Sequence, residues 1–378
     1  MKIPPSEPQA VTPGSPADPK TGVPAKPGSL EARFGGPGTA HGLGLAQLRR
    51  LLDAWSTHEA GARLGRDPEE LHQLRVTLRR IDATLGLFKH QLPATLARSR
   101  RTAKALMRNL GAARDLDVLL AELDRYCVDL PEHERAAAQP LRALLEAERT
   151  RVRSRMVRAL DSQATRHWLQ TLASASVESS ATGGFEADSA LTVMPERVRR
   201  RYRKLRKAVR ALRASASMDD YHEVRRRAKQ LRYAIESSRV MLGKPADDVL
   251  KSLRRLQDKL GAHQDAYVAQ NHLAALASDR ANGLPPETLF FMGRLAQHYA
   301  ATTGEAGDTL ARSWRKVRSK RWKALRERLA ELQNDAKKHT PQHAAGAAAG
   351  TGAGMAPPLP AVSPAARATP TEPRPTKH

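Results

Sequence analysis

The sequence predicts an all-α protein made of two similar halves, and three observations predict it. Apolar residues recur at helical spacing from about Leu43 onward, and no stretch sustains the period-two alternation of a strand. Proline and glycine gather at the two ends and at junctions between the periodic segments. One stretch also occurs twice, 150 residues apart and without a gap: His72-Gln-Leu-Arg75-Val-Thr-Leu-Arg79-Arg80 leads to Gly111-Ala-Ala-Arg-Asp115-Leu-Asp-Val118, and His222-Glu-Val-Arg225-Arg-Arg-Ala-Lys229 leads to Gly261-Ala-His-Gln-Asp265-Ala-Tyr-Val268. Nine of the 47 aligned positions are identical, and their clustering in one register points to an internal duplication.

Taken in order, residues 1–40 are Pro-, Gly- and Ala-rich with few large apolar side chains, and are expected to be disordered. The helical part spans about 41–338. Its halves lie at about 41–173 and 190–338, and a Ser/Ala/Gly linker at about 174–189 joins them. Leu48, Leu51, Leu52 and Trp55 open the first helix. Asp67-Pro68-Glu69-Glu70 has the chemistry of a helix start: a capping carboxylate, proline in the first turn, then acids at the positive end of the dipole. Pro93 marks the next turn. Gly111 is expected to end the helix that follows, and Asp115 either to cap a new helix from Leu116 to Tyr126 or to pair with a nearby arginine. Pro131 and Pro140 punctuate a connection before a long charged helix, about Leu141 to Leu160. In the second half, helices are expected from Glu196 to Arg213, after Asp219-Asp220, after Gly243-Lys-Pro245, after Gly283-Leu-Pro-Pro286, and from about Thr309 to Asn334, where Trp314 and Trp322 read as packing residues. Residues 339–378 return to Ala, Gly and Pro and are expected to form a second disordered tail.

The repeated stretch carries charge in a definite place. At 100° per residue, His72, Arg75 and Arg79 fall within about 60° of one another. Leu71, Leu74, Leu78, Ile81, Leu85 and Phe88 gather on a separate face that adjoins theirs. The second copy repeats this with His222, Arg225, Lys229 and Arg232 beside Tyr221, Val224, Ala228, Leu231 and Ile235. A cationic stripe next to a core face lines a groove between helices better than it faces bulk water. A second helix in each copy carries Arg101, Lys104 and Arg108, echoed by Lys251, Arg254 and Arg255. Asp258 stands where Arg108 stood, so this helix is less cationic in the second half. Arg199, Arg203, Arg206 and Arg210 make a further stripe.

The formal net charge is +25. Residues 1–40 hold four Lys or Arg against three acids and residues 339–378 hold three against one, which leaves +22 between them. Such an imbalance in a folded region points to a polyanionic partner: nucleic acid, an acidic membrane surface or inorganic polyphosphate. One cysteine, Cys127, excludes an intrachain disulfide and fits a cytoplasmic home. No secretory signal and no apolar run of membrane-spanning length is present.

Catalysis finds little support. Arginines occupy the places where a metal site at His72 or His222 would need further ligands. No phosphate-binding Gly-x-x-x-x-Gly-Lys-(Ser/Thr) string and no His-Asp dipeptide occurs. Neither metal nor cofactor is expected, and the chain reads as a binding module. Charge alone does not choose the polyanion. Aromatics are only 4% of residues and none lies on the His72 stripe, which disfavours a base-stacking platform. The stripes adjoin core faces, which disfavours a helix presented to a DNA groove. No isolated amphipathic helix suits a membrane surface. A polymer of phosphate alone fits best; a nucleic-acid scaffold, or a phosphate-processing enzyme acting through His72 or His222, are the alternatives.

The ordered set His-x-x-Arg-x-x-x-(Arg/Lys) then Leu-Gly-x-x-x-Asp-x-x-Val, present twice, resembles the CHAD family of histidine-containing α-helical domains over about residues 41–338. The motifs here are His72 to Arg80 with Leu110 to Val118, and His222 to Arg232 with Leu256 to Val268. The resemblance implies two pseudo-symmetric antiparallel four-helix bundles around a basic groove or pore that binds inorganic polyphosphate, with residence at polyphosphate granules and granule-associated proteins as partners. The Glu-x-Glu-x-Lys signature of a fused triphosphate-tunnel domain is absent; the nearest string, Glu146-Ala-Glu148-Arg149-Thr150, lacks the lysine. The expected polyphosphate contacts are the stripe residues above, with Arg80 and Arg226 beside them.

Overall fold

The computed structural model describes residues 38–178, 188–212, 216–279, 282–303 and 306–338. The two expected tails and most of the expected linker lie outside them. Among the described residues there is no strand, only an isolated bridge between Thr39 and Ser189.

The first half comprises α1 (Ala40–Leu64), α2 (Pro68–Leu87), α3 (Ala94–Cys127), α4 (Glu132–Asp161) and α5 (Gln163–Glu178). The second comprises α6 (Ala190–Ala211), α7 (Met218–Ser237), the single turn α8 (Arg239–Leu242), α9 (Lys244–Ser278), α10 (Pro286–Thr303), α11 (Ala306–Val317) and α12 (Lys320–Lys338). The offset of 150 is kept by the starts of α1 and α6, α2 and α7, and α3 and α9. It is also kept by the link between the halves, where the Ala40 N–H donates to Asp188 O (2.8 Å) and the Ala190 N–H donates to Gly38 O (3.0 Å).

Local chemistry sets most helix ends. Asp67 Oδ1 accepts from the Glu69 N–H at 2.8 Å ahead of Pro68, as the sequence predicts. Gly65 and Gly243 take positive φ (71° and 62°) after α1 and before α9, where a side chain would be strained. The second His helix is capped otherwise than expected. It starts at Met218, before Asp219-Asp220 and not after them; Ser217 is the cap, and it exchanges hydrogen bonds with Asp220 in a capping box.

Several expected helix boundaries differ. α3 runs unbroken through Gly111 and Asp115, and α9 through Gly261 and Asp265, so neither glycine ends a helix and neither aspartate caps one. Pro140 lies inside α4. The expected last helix is two, broken at Arg318-Ser319. α5 continues to Glu178, into the stretch read as linker. In α3, α4 and α9, apolar burial on both sides of the expected break carries the helix through. Leu106, Leu110, Ala113 and Leu116 are all buried in α3, as are Ala138 and Leu141 around Pro140. Tertiary packing of that kind outweighs the cost of a single glycine.

Six of the long helices contact in a closed order: α2 with α3, α3 with α4, α4 with α10, α10 with α9, α9 with α7, and α7 with α2. The contact of α4 with α10 joins the halves on one side. Arg294 pairs with Glu134 at 2.6 Å there, and Thr288 Oγ1 donates to Ala137 O at 2.8 Å. The contact of α2 with α7 joins them on the other. α1 and α6 pack outside α2 and α7. Trp314 and Trp322 are buried and stack on Tyr202 of α6, which confirms them as packing residues.

Candidate functional site, a cationic cavity between the halves

A cavity of about 310 Å³ lies inside this ring, walled by α2, α3, α7 and α9. His72, Arg75 and Arg79 line it from α2, and Arg225 from α7, the position equivalent to Arg75. From α3 and α9 come Arg114, Asp115 and Glu122, with Gln264 and Asp265 opposite, and Val118, Leu119, Val268 and Ala269 form an apolar patch. Both sides of the duplicated stretch therefore reach one space.

Each half builds the same unit. Arg75 Nη2 stands 3.7 Å from Asp115 Oδ1, and Arg225 Nη2 stands 3.9 Å from Asp265 Oδ1. Both separations exceed a hydrogen bond, so the carboxylates balance charge without saturating the guanidinium donors. The Arg225 Nε is buried with no hydrogen-bond partner. The glycine one turn before each aspartate explains how the arginine comes close. A Cβ at Gly111 would lie 3.5 Å from Arg75 Nη2, and one at Gly261 would lie 3.7 Å from Arg225 Nη2. Each guanidinium thus lies against the bare backbone of the facing helix.

The potential in the cavity is read from its titrating groups. Burial pushes the Arg75 guanidinium down to about 10, helped by Arg79 and opposed by Asp115, yet it stays charged at neutral pH. Arg225 is lowered mainly by burial, against the pull of Asp265. Lys229, one turn beyond Arg225, is not among the residues that line the cavity, but it feels their charge: it is pushed down to about 6 by burial and then by Arg79, Arg225, Arg75 and Arg232. His72 is lowered by burial, which favours neutral imidazole. Burial raises Asp115 and Glu122 against the arginines beside them. Desolvation thus leads throughout, and the excess of cations adds to it at the lysine.

The other expected contacts fall elsewhere. Arg232 lies over the Tyr233 ring (5.1 Å) and within 3.6 Å of Glu236. Arg80 and His222 are exposed and outside the cavity wall, as is Arg226, which donates to Glu223 at 2.7 Å. Arg101, Lys104, Arg108, Lys251 and Arg254 are exposed, but Lys104 and Arg108 share the helix face that carries Gly111, Asp115 and Glu122. They continue the cavity wall outward along α3. Arg255 borders a separate shallow groove with Ser313 and Lys316. Arg199 donates to Gln333 of α12, and Arg203 and Arg206 are exposed on that same side of α6.

Sequence reasoning did not place Arg114, Glu122 or Gln264 in the site. The signal was their position on the helices of Asp115 and Asp265, hidden once Gly111 was read as a terminus. Among the described residues no group of three His, Cys, Asp or Glu could hold a metal ion, and no helix is long and apolar enough to cross a membrane.

The CHAD domain family model matches residues 46–274, more than half of the chain, and this protein belongs to that family. Two curated relatives, the uncharacterized Mycobacterium tuberculosis proteins MT2285 (strain CDC 1551) and Rv2226 (strain H37Rv), are each 29% identical, over 269 and 271 residues. Each match covers 66% of this chain and 48% of the relative, so the chain spans about half their length. The crystal structure of the CHAD domain from the plant Ricinus communis superposes with a TM-score of 0.60 at 26% identity, covering 73% of this chain and 91% of that one. PptA from Streptomyces chartreusis shares the fold with a TM-score of 0.58 at 22% identity, covering 73% and 99%.

Proposed function

We propose that this chain binds inorganic polyphosphate, non-enzymatically, in the cavity between its halves. The observation that carries the reading is the convergence of Arg75, Arg79, Arg114 and Arg225 on one cavity whose carboxylates stand beyond hydrogen-bond distance. Guanidinium donors left open in a partly desolvated site suit successive phosphate oxygens. Bound phosphate also offsets the repulsion that holds Lys229 down. The cavity wall offers no Phe, Tyr or Trp ring for stacking a base. The exposed Lys104 and Arg108, on the cavity-lining face of α3, give a chain leaving the cavity a further run of contacts. Membership of the CHAD family supports the same ligand. A place in the cytoplasm at polyphosphate granules, beside granule proteins, follows as part of this proposal. Its test is whether a fluorescent fusion of the full chain gathers on granules and disperses when polyphosphate synthesis is blocked.

The test of binding is competition among long-chain polyphosphate, duplex DNA and RNA for the purified protein at two salt concentrations, with Arg75→Ala/Arg225→Ala alongside. Polyphosphate should win at matched phosphate concentration, and the double variant should lose that preference. Equal or better binding of nucleic acid, unchanged in the variant, would move the site elsewhere and favour a nucleic-acid scaffold.

A further inference from the structure

We propose that the seam where α6 meets α7 and the end of α2 is a second oxyanion site, built for a phosphate-class group and separate from the central cavity. Its residues are Arg197, Arg200, Arg201 and Lys204 on one face of α6, Arg227 of α7, and Arg100 of α3. None of them lines the cavity. On α7, Arg227 lies about 160° around the helix from Arg225. The face used on α6 is centred about 140° around the helix from the Arg199, Arg203 and Arg206 stripe.

The comparison of the two halves carries the inference. At the fixed offset of 150, Arg201, Arg227 and Arg100 correspond to Leu51, Thr77 and Leu250, and these three are all buried at 6%, 4% and 1% exposure. At these three positions the junction is dry and neutral in one half and cationic in the other, while Arg200 keeps a cationic counterpart in the exposed Arg50. Replacing packed neutral groups by cations costs desolvation and mutual repulsion unless each charge is matched. Two are matched within the protein: Arg100 donates to both oxygens of Asp82 (2.8 and 3.0 Å), and Arg227 donates to Glu223 (2.7 Å).

Arg201 is not matched. It is partly buried, and it makes no ion pair or side-chain hydrogen bond among the described residues. The groups acting on it, after burial, are Arg200, Arg197, Arg100 and Arg227, all cations, and together they hold it down to about 10. Arg200 and Lys204 beside it are exposed and also make no ion pair or side-chain hydrogen bond among the described residues.

The cluster is held in shape. Arg197 donates to Leu87 O and Gln91 Oε1 and so fastens α6 to the end of α2. Arg100 lies over Gly86, where a Cβ would come within 3.2 Å of its Cζ. Three cations with no partner among the described residues, flanked by three fixed guanidinium groups, call for a compact ligand with more than one negative charge and several acceptor oxygens. A single carboxylate offers too little charge; phosphate and pyrophosphate match. The group comes either from a free anion or from a stretch of a longer polyphosphate.

The test uses the full chain carrying Arg75→Ala/Arg225→Ala, so that failure of the central-cavity reading and failure of this one show separately. Pyrophosphate should still raise the thermal midpoint of that protein and bind it in titration calorimetry. Adding Arg201→Leu, the residue of the equivalent seam, should weaken that binding at least about tenfold while raising the midpoint of the ligand-free protein. Arg200→Ala/Lys204→Ala, at two exposed positions, should weaken it too without any cost in folding. No pyrophosphate effect in the cavity variant, or an effect that persists through both seam variants, would overturn the proposal. Long-chain polyphosphate added to the same Arg75→Ala/Arg225→Ala protein distinguishes the sources. If it abolishes the pyrophosphate response, a polymer occupies the seam; if the response survives, the seam takes a free anion.

Discussion

Lys229 gives the sharpest prediction, because its charge should depend on whether the cavity is filled. In the empty protein its pKa is about 6, so at pH 7.5 only about 3% of it is protonated. The cause is burial plus four arginines, and a phosphate chain threaded among those arginines removes most of their repulsion. Burial, the larger cause, persists in the complex, so the pKa rises part of the way toward the ordinary lysine value of about 10.5, and the uptake at pH 7.5 approaches one proton once the pKa passes about 8.5. Titration calorimetry in two buffers of different ionisation enthalpy measures that proton directly. The uptake should fall away below pH 6, where Lys229 is already charged, and should vanish in Lys229→Met. The same shift has a consequence without ligand. The unfolded chain holds the Lys229 proton between about pH 6 and 10.5 while the folded chain does not, so ligand-free stability should rise with pH across that window, by at most about 1.4 kcal/mol per unit. Lys229→Met should flatten the rise. Binding enthalpies identical in both buffers, or proton uptake unchanged in Lys229→Met, would refute the electrostatic account of the cavity.

The slope of log K against log salt for polyphosphate should become shallower by about 0.7 for each arginine contact removed, read by repeating the competition for Arg75→Ala and for the double variant. Asp115→Asn/Asp265→Asn should bind polyphosphate severalfold more tightly, because the carboxylates compete with phosphate for Arg75 and Arg225; the loss of two loose, half-exposed pairs should cost under about 1 kcal/mol of ligand-free stability by chemical denaturation. Ser217→Ala should cost about 1 kcal/mol through the lost capping box, seen in the thermal midpoint, and leave polyphosphate affinity unchanged.

What could be read in the sequence is what local periodicity encodes. The stripe of His72, Arg75 and Arg79 beside a leucine face requires only a helix, and its position against the core already implied a groove. The Asp67-Pro68 start was legible for the same reason. The fate of Gly111 was not, because a helix-ending glycine and a helix-embedded glycine look alike until a neighbour is known. Here the neighbour is Arg75 of a different helix. The α6 stripe shows the limit from the other side. Arg199, Arg203 and Arg206 are as periodic as the cavity residues, but the docking of α6 sends them toward α12 and leaves Arg201 at the seam. Charge pattern locates a face on its own helix; it does not say which other helix that face will meet. The contact of α4 with α10, which closes the ring, has no counterpart in any motif.

That closure makes the two halves partners in a thermodynamic sense. Neither half walls the cavity alone, since α2 and α3 line it from one half and α7 and α9 from the other, and the contacts α2–α7 and α4–α10 both run between the halves. An anion seated among Arg75, Arg114 and Arg225 therefore acts as a clasp, and its binding energy opposes separation of the halves. At a hundred times its dissociation constant it would add about 2.7 kcal/mol to their cohesion. Occupancy of the cavity would then set how firmly the two halves of this chain hold together.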